Sequence, residues 1–382
     1  MKLLYIVPTK DPKYGGPVET VNSYVYFLTQ KNIETKILPE SLHTITVYLL
    51  PFFKGIKLTY FPGVKELIKI RDNIKNVDLI HVNGLWSAPT SLAAYFARKN
   101  SKPYLVTLHG MLDEWCLNQN PSGKRLHSFL LERKNLNSAS AIHCLNEYEI
   151  KSAKDFGVRA PLFELPNGVD LNNFNFIPDK GNLIKTFPHL KDKTILLFLG
   201  RINHKKGFDL LIPAFSQALK EAPDLHLIIA GSDEGKFIEN VKNLIFKNAL
   251  DTYVTFTGFV SGELKKTLLM GSDIFILPSY QEGDSVAIKE AMASRLPVII
   301  TPACHFPEIE KHNAGVIVNH NVEAISKAII KLGENAEVRR EMGENGRKLI
   351  EEKYNWYRIM EQMIIIYEDI LNNRFTSPCW RI

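Results

Sequence analysis

The sequence contains few cysteines and no long apolar run. Its four cysteines are far apart and form no Cys-x-x-Cys pair: Cys116, Cys144, Cys304 and Cys379. This spacing argues against both a zinc site and a disulfide framework and predicts reduced thiols. The longest apolar runs, such as VYLLPFF at Val47–Phe53, are far shorter than the roughly 20 residues of a spanning helix. The N-terminus has no signal-peptide core, so we expect a cytoplasmic protein that is soluble or at most peripheral to a membrane.

Several nucleotide-binding and nucleic-acid-binding signatures are also missing. The chain has no Gly-x-Gly-x-x-Gly, which disfavours a nicotinamide-dependent dehydrogenase, and GSDEGKF at Gly231–Phe237 departs from the P-loop in spacing. No dense run of lysine and arginine supports a nucleic acid as partner. The absence of Asp-x-Asp fits a diphosphate that is neutralised by arginine and lysine, so we expect no metal cofactor.

The charge of the chain is distributed unevenly. Residues 1–170 hold 21 Lys and Arg against 15 Asp and Glu, whereas residues 171–382 hold 26 against 26, so the net charge of +6 lies in the first part. Such asymmetry is typical of a protein with an anionic partner, such as a phosphate-bearing substrate or the surface of an acidic membrane. A solvated surface with a few additional lysines explains the same count.

Strand-like runs alternate with amphipathic segments of helical length, which is the pattern of parallel sheets with crossover helices. Residues 1–170 contain six predicted strands, at 3–8, 34–38, 79–82, 104–110, 141–145 and 162–166. Residues 194–357 contain five more, at 195–200, 225–231, 254–258, 274–278 and 297–301. Each set is sufficient for a doubly wound sheet, so two domains are predicted.

Other segments depart from this pattern. Residues 171–193 are rich in Asn, Pro, Gly and Lys and are predicted to be an interdomain linker. Leu42–Gly63 is apolar and aromatic and is either a packed loop or a segment that faces membrane or acceptor. After Gly315 the chain is predicted to be helical, and its last helix, at about 358–376, is expected to pack against the first domain.

Two loops contain features suited to an anionic ligand. GRINHKKG, at 200–207, places Arg201, Lys205 and Lys206 before a predicted helix, where cations oppose the helix dipole unless an anion lies between them. A diphosphate would supply that anion, whereas the alternative is a solvated basic turn. Gly15-Gly16 precedes Pro17 at another predicted helix start, where bare glycines let an anion approach backbone amides; a plain turn is the alternative.

A third loop carries two glutamates. In PSYQEGDSVAIKEAMA, Glu282 lies in a loop after a predicted strand, and Glu290 lies about a turn and a half into a helix capped by Asp284 or Ser285. A carboxylate is an acceptor suited to a pair of sugar hydroxyls. Two surface glutamates are the simpler interpretation of this pair alone.

Taken in this order, the motifs resemble those of one enzyme family. Glu282, seven intervening residues and Glu290, followed by AMASRLPVI, match the element characteristic of the retaining GT-B glycosyltransferases of family four. GRINHKKG matches the phosphate-binding element of that family, Gly15-Gly16 its glycine loop and PNGVD at 166–170 its domain junction. The resemblance spans nearly the whole chain. It implies an α/β GT-B fold, with two Rossmann-like, doubly wound domains that face each other across a cleft.

The resemblance also implies a role for each matching residue. The donor diphosphate would be bound by Arg201, Lys206, Gly15 and Gly16, and its ribose by Glu290. The catalytic centre would contain Glu282 beside the transferred sugar, with His109 facing it from the first domain. Backbone contacts to sugar or phosphate would come from Gly283, Asp284 and Ser285, and contacts to the base from Phe259 and Val260. Asp284-Ser285 replaces the usual Phe-Gly of the family.

The reaction implied is transfer of a sugar from a nucleoside diphosphate sugar, expected to be a UDP- or GDP-sugar, to a hydroxyl acceptor with retention of configuration. The family suggests an acceptor in surface polysaccharide or lipid-linked glycan synthesis, with peripheral membrane contact through the basic first domain. A nucleotide-sugar epimerase or hydrolase of the same fold, and a non-catalytic sugar-nucleotide-binding subunit, are the alternatives.

Overall fold

The protein, represented by a computed structural model that describes residues 1–8, 16–38, 64–119, 121–175, 179–375 and 379–380, divides into two compact units. The first unit is formed by Met1–Asn167 together with Trp356–Ile382, and the second by Gly168–Asn355. The second unit is therefore inserted into the sequence of the first.

The first unit is built on a parallel sheet of seven strands in the order β13-β6-β5-β4-β3-β1-β2. Its strands are β1 (Lys2–Ile6), β2 (Glu34–Leu38), β3 (Leu79–Asn83), β4 (Tyr104–Thr107), β5 (Ala141–Cys144), β6 (Leu162–Glu164) and β13 (Cys379–Trp380). Its helices are α1 (Gly16–Gln30), α2 (Val64–Lys75), α3 (Ala88–Lys99), α4 (Glu114–Asn118), α5 (Pro121–His127), α6 (Arg133–Asn137), α7 (Glu147–Phe156) and α16 (Trp356–Leu371), with a π-helical segment at Ser128–Glu132.

Both faces of this sheet are buried, as expected of a parallel sheet covered by helices. Successive residues of β1 point to opposite faces, so that Leu4 and Ile6 belong to one apolar cluster and Leu3 and Tyr5 to another. The second cluster includes the buried side of α16, which packs against α1. The last helix is thus part of the first unit.

The second unit is built on a parallel sheet of six strands in the order β12-β11-β10-β7-β8-β9. Its strands are β7 (Thr194–Leu199), β8 (Leu225–Ala230), β9 (Val254–Gly258), β10 (Ile274–Leu277), β11 (Val298–Ile300) and β12 (Gly315–Ile317). Its helices are α8 (Lys180–Thr186), α9 (Phe208–Ala218), α10 (Ile238–Lys247), α11 (Gly262–Gly271), α12 (Val286–Ala293), α13 (Glu308–Lys311), α14 (Val322–Glu334) and α15 (Ala336–Lys353).

All eleven predicted strands are present, but two predictions need correction. Helix was predicted after Gly315, whereas Gly315–Ile317 forms β12 beside β11, at a place where a Cβ on Gly315 would lie 2.2 Å from the Val298 carbonyl oxygen. The predicted linker at 171–193 belongs to the second unit, because it contains α8 and contributes the fully buried Leu183 and Leu190 to that unit's core. Leu42–Gly63 lies outside the described residues.

Each sheet has a point at which its strand order reverses. In the second unit the reversal lies between β7 and β10, and in the first between β1 and β3. Open parallel sheets bind ligands beyond the carboxyl ends of the strands at such a point. The loops that follow these strands are therefore the first places to examine for a site.

A continuous hydrogen-bonded chain of side chains crosses the core of the first unit. His143, at one end of the chain, donates Nε2–H to the Leu165 carbonyl at 2.6 Å. The Nδ1 of this neutral ring therefore carries no proton and accepts from Thr107, 2.8 Å away. Thr107 in turn accepts from His81 Nε2 at 2.6 Å. His81 Nδ1 then accepts from Tyr367, at 2.8 Å, and Tyr367 from Tyr5, at 2.6 Å. Every donor in the chain points the same way only while both histidines are neutral.

This chain makes the fold sensitive to acid. Burial lowers the pKa of His143 to about 4 and that of His81 well below its ordinary value of 6.5. Between pH 6.5 and about 4 the unfolded chain therefore binds more protons than the folded one, and stability falls as the pH falls. We expect urea unfolding to show a loss of about 2 kcal/mol from His143 between pH 7.5 and 5, with a further loss from His81. His143→Gln should lose about 2 kcal/mol less over that interval; an equal loss would contradict the assignment.

Candidate functional site

The loop after β7 is held tightly against the loop after β10. Gly207, which precedes α9, has a φ of 71°, and a Cβ at this position would lie 2.0 Å from the Pro278 carbonyl oxygen. The amide of Tyr280 donates to the Lys205 carbonyl at 2.7 Å. Only glycine satisfies both the left-handed backbone and the close approach at 207. The two loops at the reversal point of the second sheet are therefore fixed relative to each other.

A buried ion pair joins these two loops. The ammonium of Lys206 lies 2.6 Å from Glu282 Oε1, and both side chains are only 9% exposed. The hydroxyl of Ser279 donates to the same oxygen at 2.6 Å. Burial alone would raise the pKa of Glu282, but Lys206, then Lys205, and these hydrogen bonds outweigh burial and lower it. Glu282 is thus an ionised carboxylate whose Oε2 has no donor among the described residues.

The other cations of the basic turn also contact polar side chains of the protein. Arg201 lies 2.7 Å from Glu234, which also accepts from Asn203 at 2.5 Å, and Lys205 donates to Gln281 at 3.1 Å. Carboxylates from distant parts of the chain therefore offset the unfavourable interaction of these cations with the α9 dipole, so the fold itself does not require the predicted external anion.

The acidic residue that departs from the family pattern lies in the loop before α12 and has a partner on that helix. Asp284 lies 2.5 Å from the ammonium of Lys289, which is 1% exposed and lies 4.6 Å from the centre of the Tyr354 ring. Burial lowers the pKa of Lys289, and Asp284 acts in the opposite direction. Ser285 occupies the N-cap of α12 without a side-chain capping bond. The carboxylate of Asp284 is thus engaged by Lys289 from within the protein.

The remaining predicted donor-site residues of the second unit lie on neighbouring elements. Glu290 is on α12 and accepts from Lys265 of α11 at 2.7 Å. Phe259 and Val260 follow β9, where Phe259 is exposed and Val260 is buried. Gly283 lies between Glu282 and Asp284 in the loop before α12. The structure therefore places these residues in loops or helices that follow strands of one sheet.

The predicted histidine lies in the first unit, after β4. His109 has a φ of 52°, and its Nε2 lies 3.2 Å from Asn83 Oδ1. Asn83 donates its amide N–H to the His81 carbonyl at 3.2 Å, so its Oδ1 is the acceptor and His109 carries its proton on Nε2. Burial, followed by His143, lowers the pKa of His109 to about 3. The imidazole is consequently neutral, with Nδ1 as its acceptor.

Glu149 holds the loop that carries His109. One of its carboxylate oxygens accepts from the Gly110 amide and the other from the Leu145 amide at 2.8 Å. Glu149→Ala should therefore leave two buried amides without an acceptor and cost roughly 2–4 kcal/mol of stability. Glu149→Gln keeps one acceptor and should lose less. Chemical unfolding of the two variants measures this order, and equal stability of Glu149→Ala and the parent protein would exclude the role.

The structure brings together Arg201, Lys206, Glu282 and the loop that contains Gly283, Asp284 and Ser285. His109 belongs to the first unit, as does Gly16, which begins α1, while Gly15 lies outside the described residues. Sequence reasoning missed four partners of these residues: Asn83, Glu149, Glu234 and Lys265. Each is far in sequence from the residue it contacts, and only the proximity of strand ends in a parallel sheet points to Asn83.

Within the part of the chain that the structure describes, no group of three or more His, Cys, Asp and Glu side chains is arranged to hold a metal ion. No helix within the same ranges has the length and apolar character needed to cross a membrane.

Comparisons with known proteins agree with this architecture. The family model of Glycosyltransferase Family 4 matches residues 24–173, and that of glycosyl transferases group 1 matches residues 179–349. An uncharacterized glycosyltransferase of Methanocaldococcus jannaschii is 27% identical over 369 residues, which cover 94% of this chain and 96% of that protein. Another from the same organism is 29% identical over 192 residues, which cover 50% of this chain and 48% of that protein.

A solved structure has the same fold over nearly the full length. HepE from Anabaena, in complex with UDP-glucose, matches with a TM-score of 0.77 and 18% identity, covering 97% of this chain and 100% of that one. The two parallel sheets with their flanking helices thus form the GT-B fold, as the sequence predicted. The two family models match consecutive parts of the chain, which is therefore a glycosyltransferase of the family 4 type.

Proposed function

We propose that this glycosyltransferase moves a hexose-type sugar from a nucleoside diphosphate sugar to a hydroxyl acceptor with retention of configuration. The observation that carries the proposal is the buried Lys206–Glu282 pair at the reversal point of the second sheet. It places a fixed ammonium and a fixed carboxylate at the position where open α/β sheets bind their ligands. The UDP-glucose complex of HepE supports a UDP-sugar as the donor, with GDP-sugars as the next candidates.

Arg201 and Lys206 are proposed to bind the donor diphosphate. The Arg201–Glu234 pair is partly exposed, at 31% and 47%, and such pairs contribute only about 0–1 kcal/mol. A diphosphate can therefore replace Glu234 as the partner of Arg201 at little cost. Lys206 has three N–H donors, and its bond to Glu282 uses one of them. Both cations, with amides at the start of α9, would stabilise charge on the departing diphosphate.

Retention is proposed to occur by substitution on one face of the sugar. The bond from C1 to the diphosphate oxygen breaks, the acceptor oxygen bonds to C1 on the same face, and the acceptor proton passes to the leaving phosphate. Glu282 would orient the sugar through Oε2, and Glu290 would hold the ribose hydroxyls. Because Glu282 is held by Lys206 and Ser279, we assign it positioning in preference to nucleophilic attack, which is the alternative.

The other proposed contacts come from the family pattern. His109, neutral and bonded to Asn83, would face the donor sugar, and Gly16 would face the diphosphate. Gly283, Asp284 and Ser285 would offer backbone amides to sugar or phosphate. Phe259 and Val260 would contact the base. Family membership supports a place in surface polysaccharide or lipid-linked glycan synthesis.

Donor binding and product stereochemistry test the function. UDP-, GDP- and ADP-sugars should be compared by thermal shift, since a ligand that binds the folded state raises the melting temperature. Arg201→Ala should reduce the shift, and Lys242→Ala, a change of an exposed cation on α10, should not. The product should keep the anomeric configuration of the donor, as measured by NMR.

Other results would select an alternative. Free sugar or an epimer in the absence of acceptor would indicate a hydrolase or an epimerase. Binding without turnover would indicate a sugar-nucleotide-binding subunit. A glycosyl adduct trapped on Glu282 would overturn the same-face mechanism in favour of a covalent one.

A further inference from the structure

The first unit contains a cavity that the proposed donor contacts do not use. Its volume is about 370 Å³, and its lining includes the aromatic residues Trp86, Phe129 and Phe156 and the cations Lys124, Arg125 and Arg133. The cavity lies beside α5 and the π-helical segment Ser128–Glu132, and π-helical turns are frequent at functional sites.

Among the described residues, the cations that line this cavity, Lys124, Arg125 and Arg133, form no ion pair with Asp or Glu. The half-buried ammonium of Lys124 donates to the Cys116 carbonyl and lies 5.7 Å from the centre of the Trp86 ring. The guanidinium of Arg133 lies 5.5 Å from the centre of the Phe156 ring. Three cations around one cavity, supported by aromatic faces and a carbonyl, favour an oxyanion in the ligand.

Trp86 supplies the apolar wall of the cavity. Its indole N–H donates to the Met111 carbonyl at 2.9 Å, which fixes the ring, and its φ of 63° is rare for a bulky residue. Fixed aromatic rings in ligand cavities offer an apolar surface to the C–H face of a sugar ring, and this one lies beside cations that suit an anionic substituent.

The cavity also adjoins the loop of the proposed catalytic histidine. Trp86 lies three residues after β3, and Met111, which holds its ring, lies two residues after His109. Both positions follow carboxyl ends of strands in the first sheet, the edge at which α/β folds bind ligands. A ligand on Trp86 would therefore lie at the same edge of the sheet as His109.

We propose that this cavity binds the acceptor, and that the acceptor is a sugar with a phosphate or carboxylate attached. The sugar ring lies on Trp86, and the oxyanion lies among Lys124, Arg125 and Arg133. This assignment rests on the proposed transfer to a hydroxyl acceptor. The phosphate can belong to a soluble sugar phosphate or to a lipid-linked sugar, since both present the same group.

Two adjacent residues provide a matched pair of variants. Arg133 and Lys134 are both exposed and both lie on α6, but only Arg133 lines the cavity. Arg133→Glu and Lys134→Glu change the net charge equally. Binding of glucose 1-phosphate, glucuronic acid, glucose and inorganic phosphate should be measured by titration calorimetry on the full chain, with the donor site saturated by UDP.

Glucose 1-phosphate or glucuronic acid should bind at least tenfold more tightly than glucose and than inorganic phosphate. Arg133→Glu should weaken that binding at least tenfold and Lys134→Glu less than twofold. Trp86→Leu should bring glucose 1-phosphate to the affinity of inorganic phosphate. A polyprenyl diphosphate sugar in detergent micelles should be titrated in the same way. If this probe alone binds, and Arg133→Glu weakens its binding, the phosphate belongs to a lipid-linked sugar.

Equal affinity for glucose and its phosphate, equal effects of the two charge reversals, or no binding of any probe would overturn the proposal. Failure of the proposed function is distinguishable from this, because it appears as the absence of UDP binding. In that case the same titrations without UDP still compare Arg133→Glu with Lys134→Glu.

Discussion

Lys206→Met is expected to reduce both the stability and the activity of the protein more than any other single change in the donor loops. Its ammonium is the nearest cation to a carboxylate that is 9% exposed, and removing one member of a buried pair costs about 3–5 kcal/mol. Since Lys206 is also proposed to stabilise the departing diphosphate, kcat should fall by about 10²–10³-fold. Urea unfolding and initial rates with saturating donor measure the two effects.

A second substitution separates stability from catalysis. In Lys206→Met the burial of Glu282 is opposed only by Lys205 and Ser279, so the pKa of its carboxyl should rise above its value in the unfolded chain. A raised folded-state pKa gives stability that is present at low pH and lost as the pH rises through that pKa. Lys206→Met should therefore be less stable than Lys206→Met/Glu282→Gln at pH 8, and the two variants should have nearly equal stability near pH 5. The double variant should recover stability but not activity.

If Lys206→Met were as stable as the parent protein at pH 8, Glu282 would not depend on its ammonium. If Lys206→Met/Glu282→Gln recovered activity, neither residue would have a role in the reaction.

Lys289→Met is expected to have the second-largest effect, although the residue is not proposed to contact a substrate. The substitution removes a cation that is 1% exposed and keeps a similar volume, so the loss reports chiefly on the pair with Asp284. Breaking a buried pair costs about 3–5 kcal/mol, and the Asp284 carboxylate would lose the ammonium that offsets its charge near the proposed phosphate contacts. We expect the KM for the donor to rise by about tenfold or more, because a carboxylate near a diphosphate is repelled.

The partner substitution tests whether Asp284 causes the loss. Lys289→Met/Asp284→Asn removes both charges, and a double-mutant cycle should give a coupling energy within the 0.5–3 kcal/mol seen for residues in contact. The KM for the donor should return toward that of the parent protein. A coupling energy near zero, or an unchanged KM in the single variant, would show that Lys289 does not offset the charge of Asp284.

Most strands of this fold could be predicted because they are apolar runs bounded by Gly, Pro or Asn, as ILLFLG at 195–200 illustrates. β12 was not predicted because it has only three residues and is followed closely by α14. The segment 171–193 was wrongly predicted to be a linker because its composition is that of a linker, whereas Leu183 and Leu190 are buried in the second unit. Composition describes a segment but not the surface it packs against.

The candidate site could be predicted only in part. Family motifs marked Lys206, Glu282 and Glu290, but not the partner of each, because Glu282 lies 76 residues from Lys206 and Glu290 lies 25 residues from Lys265. Such contacts are created when parallel strands bring their following loops together. Asp284 and Lys289 are only five residues apart, yet their pairing depends on a loop conformation that no helical period describes.

The insertion of the second unit into the first has a consequence for synthesis on the ribosome. Gly168–Asn355 is continuous, so all of its strands have been made once Asn355 has emerged, whereas the first unit still lacks α16 at that moment. Its buried chain of side chains passes through Tyr367, which is made later than every residue of the second unit. Until α16 has been made, the apolar surface of the first unit against which it packs has no helix to cover it. This is the interval in which a chaperone that binds exposed apolar surface would act.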